Sequence, residues 1–151
     1  MKFVATEDIR APADRVWAAV SDIDRFEVML AARAQRLERR PPGPAAPGTR
    51  WEGRAKVRGR ARDVSAELVD LQAPERMAFE GGTEGMRVTV EAAVAARGPD
   101  LTRLTVTTEA RAQTLAARLL LQSAKLARAT LAKRYKQRVS DFAARLEAGG
   151  A

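Results

Sequence analysis

Met1-Lys2-Phe3-Val4-Ala5-Thr6-Glu7-Asp8-Ile9-Arg10 runs without a linker into Ala11-Pro12-Ala13-Asp14-Arg15-Val16-Trp17. The first ten residues read as a partly buried strand, because Phe3, Ala5 and Ile9 alternate with Val4, Thr6 and Asp8. Pro12 suits the first turn of a helix, where its missing N–H costs nothing, and Asp14 complements the helix dipole there. Val16, Trp17 and Val20 supply an apolar stripe. Asp22 is placed to cap a second short helix carrying Phe26, Met29 and Leu30.

Downstream, the pattern becomes one of strands. Residues 33–40 read as a strand, and Pro41-Pro42-Gly43-Pro44-Ala45-Ala46-Pro47-Gly48 is a stiff loop that cannot continue a sheet. From Thr49 the alternation is strict, with Trp51, Gly53, Ala55 and Val57 on one face and Arg50, Glu52, Arg54, Lys56 and Arg58 on the other. Its phase changes near Gly59, after which Val64, Ala66 and Leu68 share a face. This places a hairpin turn at Arg58-Gly59-Arg60. A strand with Met77 and Phe79 ends at Gly81-Gly82. The next carries Met86, Val88, Val90, Ala92 and Val94 and turns at Gly98-Pro99-Asp100 into residues 101–110. Such spacing predicts an antiparallel meander within one domain, 1–148, followed by a frayed tail, 149–151.

The chain closes on a predicted helix from about Gln113 to Leu146. Ala117, Leu121, Ala124, Arg128, Leu131, Tyr135, Val139, Phe142 and Leu146 recur at spacings of three and four, defining one stripe along its length. Leu115, Leu119, Gln122 and Leu126 form a second stripe on nearly the opposite side. That second stripe calls for another packing partner: the short helices, a loop, a second subunit in a homodimer, or a lipid surface. Arg128 interrupts the first stripe, and an unpaired buried guanidinium is very costly. It should therefore snorkel past the sheet edge, pair with a carboxylate such as Glu67 or Glu91, or anchor an anionic head group.

Two short helices between the first and second strands, a meander and a long C-terminal helix resemble the SRPBCC superfamily, the START and pollen-allergen type of helix-grip domain. The resemblance covers essentially the whole chain. One departure is that the glycine-rich loop of the pollen-allergen branch is replaced by the proline-rich loop at 41–48. The resemblance implies an α+β fold in which a curved antiparallel sheet grips the C-terminal helix around an apolar cavity. It also implies a hydrophobic small-molecule ligand of lipid, polyketide or isoprenoid type. Trp51, Phe79 and Met86 of the sheet and Leu121 and Ala124 of the helix would contact that ligand, with Arg128 and Tyr135 orienting it. Cyclase and aromatase members of the superfamily suggest an enzymatic alternative with Glu67, Glu91, Asp63 and Tyr135 as acid–base groups. Other members act on ribosomes, respiratory-chain assembly or chaperones.

Composition narrows the chemistry. There is no cysteine and no histidine among the 151 residues, which excludes thiolate, Ser-His-Asp and His-ligated metal sites. No Asp-rich calcium loop appears, and no cofactor is expected. No apolar run approaches the ~20 residues of a membrane span, and no signal-peptide pattern opens the chain. The expectation is a cytoplasmic protein, with a non-enzymatic carrier or sensor favoured and a cyclase/dehydratase-like enzyme without metal or histidine as the alternative. Alanine supplies 31 residues and aromatics only seven, so a shell built from them is underfilled, unless the bias is that of a GC-rich genome that also favours arginine over lysine.

The net charge of +8 is concentrated in two segments, 50–62 and 113–148. This predicts an attractive field for RNA, ribosomes, anionic membranes or acidic proteins. The absence of interleaved aromatics argues against base stacking and against sequence-specific reading of nucleic acid.

Overall fold

The computed structural model describes residues 1–57 and 59–149. The chain forms β1 (Lys2–Ile9), α1 (Ala13–Val20), α2 (Ile23–Ala31), β2 (Arg36–Arg40), β3 (Arg50–Val57), β4 (Arg60–Gln72), β5 (Arg76–Thr83), β6 (Met86–Gly98), β7 (Leu101–Ala112), α3 (Leu115–Leu126) and α4 (Arg128–Glu147). The seven strands make one antiparallel sheet in the order β1-β7-β6-β5-β4-β3-β2. Two helices carry the chain from one edge of the sheet to the other, and the meander then returns until β7 pairs with β1. This is the expected α+β helix-grip fold.

Local chemistry explains most boundaries. Pro12, in extended conformation, precedes α1, and the Asp22 side chain accepts a hydrogen bond from the Arg25 N–H at the start of α2. In β3 the side chains alternate strictly between exposed and inward, with Trp51 and Gly53 buried. The β3–β4 turn contains Gly59 at φ 78°, while Arg58, the first residue of the predicted hairpin turn, lies outside the described residues. Gly150 and Ala151 of the predicted frayed tail lie outside them as well. β4 carries a bulge between Leu68 and Asp70, which leaves Val69 unpaired and bends the strand.

The core gathers at one end, where Ile9, Val16, Leu68, Leu104 and Leu146 are fully buried. Buried Thr102 donates its hydroxyl to the Ala11 carbonyl at 2.8 Å, tying β7 to the β1–α1 connection.

The C-terminal arm is long, as expected, but it is not one helix. It breaks at Ala127 (φ −104°, ψ 17°) into α3 and α4. No proline or glycine marks the break. The two halves follow different strands, α4 lying on β1 and α3 on β7, and a straight rod cannot track both across a twisted sheet.

The start of α3 has its own anchor. Thr114 Oγ1 accepts from the Ala117 N–H, and the Gln113 N–H donates to the Gly85 carbonyl at 2.7 Å. Gly85 sits in the β5–β6 turn at φ 80°, and a Cβ there would lie 2.5 Å from Thr114 Oγ1. Thr114→Ala should therefore cost about 1 kcal/mol of helix stability. Amide exchange should quicken in the first turn of α3, and unchanged protection there would refute the cap.

Candidate functional site

Strand alternation assigns one face of the sheet to the interior. Along β6, Val94 is buried, whereas Ala92, Val90, Val88 and Met86 are only half-buried. Along β4, Leu68 is buried while Ala66 and Val64 are half-buried; along β3, Ala55 and Val57 are likewise less covered than Trp51. The C-terminal arm repeats the gradient. Leu146 and Ala143 are buried, and Phe142, Val139, Tyr135, Leu131, Ala124 and Leu121 are half-buried, before Ala117 near the start of α3 is buried again. The inward apolar surface is thus packed at the α1 end and incompletely covered toward the α3 end.

Trp51 and Phe79 meet on this face, with ring centroids 5.9 Å apart. The indole N–H donates to Glu27 Oε2 at 2.9 Å, and the same oxygen accepts from Arg39 Nε at 2.6 Å. Arg39 also pairs with Asp24 and lies over the Trp51 ring at 5.6 Å. Its side chain is only 14% exposed, and its two carboxylate partners hold its proton still more firmly, outweighing the opposing effect of burial. The cluster fastens α2 to β2 and β3. Sequence reading missed Glu27 and Arg39 as partners of Trp51. The even spacing of Leu37 and Arg39 in β2 was the available signal that both point inward.

Tyr135 belongs to a second group. Its hydroxyl lies 3.0 Å from Thr108 Oγ1, and its ring is 5.7 Å from Phe3. Partial burial raises the phenol pKa, and the Thr108 hydrogen bond opposes the rise only in part. The phenol is neutral at pH 7, able to donate or accept a hydrogen bond but not placed to act as a base.

Arg128 is exposed rather than gripped. Its guanidinium donates to the Lys2 carbonyl at 3.1 Å and sits over the Phe3 ring at 5.5 Å. It thus reaches past the sheet edge, and neither Glu67 nor Glu91 is its partner. Leu121 and Ala124 are half-buried on the inner side of α3. Met86 lies apart, in a groove of about 470 Å³ at the strand ends whose walls include Arg36, Asp63, Val64, Gly82 and Gln113. The predicted ligand residues therefore fall into four neighbourhoods: Trp51 with Phe79, Tyr135 with Arg128, Leu121 with Ala124 on the inner side of α3, and Met86 at the rim.

The proposed acid–base carboxylates stand on the outer face in cross-strand ion pairs. Asp63 pairs with Arg54 at 2.8 Å, Glu91 with Arg76 at 3.0 Å and Glu67 with Arg50 at 3.8 Å. Among the described residues of the basic 50–62 segment, Arg50 and Arg54 are thereby paired, and Arg60 and Arg62 both meet Glu84. Among the described residues no cluster of three or more Asp or Glu is arranged to hold a metal ion, and no helix is long and apolar enough to cross a membrane.

A family model described as polyketide cyclase / dehydrase and lipid transport matches residues 1–147. No curated protein matches the chain in sequence. Among solved structures, the chain is similar to the Zhui aromatase/cyclase of a Streptomyces species, at 19% identity and a TM-score of 0.65, covering 100% of this chain and 99% of that one. It is similar to a Thermus thermophilus protein at 19% identity and a TM-score of 0.64, over 100% of both chains. Truncated norcoclaurine synthase from Thalictrum flavum matches at 14% identity and a TM-score of 0.65, over 97% of this chain and 92% of the other. At these identities the likeness carries the fold alone.

Proposed function

The chain belongs to the polyketide cyclase / dehydrase and lipid-transport family, and from that premise we propose that it binds a hydrophobic small molecule between the sheet and its C-terminal arm. The observation that carries this reading is the burial gradient. Inward apolar side chains of β3, β4 and β6 lose their cover toward α3, leaving apolar surface that a ligand would remove from water. Such burial is worth ~25 cal/mol per Å².

In this reading Trp51 and Phe79 form the deep wall, Leu121 and Ala124 the cover, and Met86 the rim. The Tyr135–Thr108 pair offers a polar contact, and Arg128 a charge at the sheet edge. Tyr135 can orient a ligand by hydrogen bonding, and the carboxylates Asp63, Glu67 and Glu91 are held in ion pairs on the outer face, away from the inward surface, which favours a carrier or sensor over a cyclase.

Native mass spectrometry of protein purified from its own host without detergent tests the reading. The expected result is a reproducible added mass of a few hundred daltons, with saturable uptake of an anilinonaphthalene sulfonate probe once that ligand is extracted. A bare chain mass together with no saturable probe uptake would overturn it.

A further inference from the structure

We propose that the outward face of α3 docks onto an anionic lipid bilayer. Leu115, Leu119 and Leu126 on that face are 73%, 57% and 93% exposed. At 100° per residue they fall within a narrow stripe, and Arg118 and Lys125 lie along one flank of it. The inner side of the same helix presents Ala117, Leu121 and Ala124 toward the sheet. The second apolar stripe read from the sequence therefore has no packing partner among the described residues.

The charge around this stripe is of one sign. From Ala110 to Ser140 there is no Asp or Glu, while eight Lys and Arg occur. Among the described residues, Arg118, Lys125, Lys133, Arg134, Lys136 and Arg138 make no salt bridge, whereas the sheet arginines are repeatedly matched to cross-strand carboxylates. A run of cations with no carboxylate among them thus begins beside the exposed leucines and continues into α4.

Aliphatic side chains flanked by cations match the boundary between acyl chains and anionic headgroups, where each group finds its preferred surroundings. Nucleic acid would satisfy the cations but leave the leucines in water. The outward face of α3 also carries no aromatic ring for a base to stack on. α3 is about 18 Å long, suited to lying in the plane of the surface. Docking this way places α3 between the bilayer and the inward face of the sheet, but it does not require that face to hold a ligand.

The test is flotation of the whole protein with vesicles of phosphatidylcholine, or of phosphatidylcholine mixed with phosphatidylglycerol. Partition onto the mixed vesicles should exceed that onto phosphatidylcholine at least about tenfold. It should weaken as salt rises from 0.1 M to 1 M and the screening length falls from about 10 Å to about 3 Å. The combined variant Leu115→Gln, Leu119→Gln, Leu126→Gln should bind mixed vesicles at least about tenfold less, with its melting temperature unchanged because glutamine is a good helix former. Arg118→Glu with Lys125→Glu should lose binding similarly.

Failure of the native protein to float with anionic vesicles at low salt would overturn the proposal. So would full binding by the leucine variant, since charge alone would then suffice and any polyanion, RNA included, would serve. A solution dimer that the leucine variant converts to monomer would overturn it too, assigning the face to a second copy of the chain.

Discussion

Trp51→Ala is expected to destabilise the protein by about 3–5 kcal/mol, the range for removing a large buried aromatic. For a chain of this length that corresponds to a fall of roughly 10 °C in Tm. The indole is buried, packs on Phe79, roofs Arg39 and satisfies Glu27. Its removal leaves a void and takes one donor from the Glu27 carboxylate that holds α2 to the sheet. Trp51→Phe separates the two contributions, because it keeps most of the packing and loses the hydrogen bond, costing about 1 kcal/mol for that bond. Calorimetry reads both variants. A loss below about 1 kcal/mol for the alanine variant would show that the cluster does not support the fold.

The second large effect is expected on binding. Val90 lies on the inward face opposite Phe79 on one side and Thr108 on the other, and it is only half-buried. If the surface beside it is open to a ligand, Val90→Trp fills that space. Probe uptake should then fall at least about tenfold while Tm holds or rises. Thr89→Trp, one residue away on the outer face, should leave uptake unchanged. Were the interior already full, the added ring would instead overpack it, costing about 1–3 kcal/mol. Titration of the probe with a melting curve on each variant distinguishes the two cases.

Strand facing and the antiparallel meander were legible because both depend on local pattern. Alternation at Trp51, Gly53, Ala55 and Val57, the Asp22 cap and the proline loop each act within a few residues. What escaped was what depends on distant partners. Arg39 meets Glu27 only once α2 folds over β2, and Arg128 finds a backbone carbonyl 126 residues away, which no residue type advertises. The break at Ala127 was invisible for the same reason, being imposed by two strands rather than by a helix-breaking residue. The basic character of 50–62 was read correctly as composition. The pairing of Arg54 and Arg50 depends on the β3–β4 register, which sets Asp63 opposite Arg54 and Glu67 opposite Arg50.

The interruption at Ala127 also gives the two halves of the arm separate energy scales. α4 is fastened by Leu146, Ala143, Phe142 and Tyr135, and its fate is that of the globular core. α3 is held inward by Ala117, Leu121 and Ala124, two of them among the smallest side chains, and by one threonine cap. With the helical hydrogen-bond ladder interrupted between them, lifting α3 need not unwind α4. Local opening at that end is then a low-cost fluctuation, set apart from global unfolding. Substitutions on the inner side of α3 or at its threonine cap should therefore change amide exchange in α3 while leaving the melting temperature of the α4-packed core unchanged.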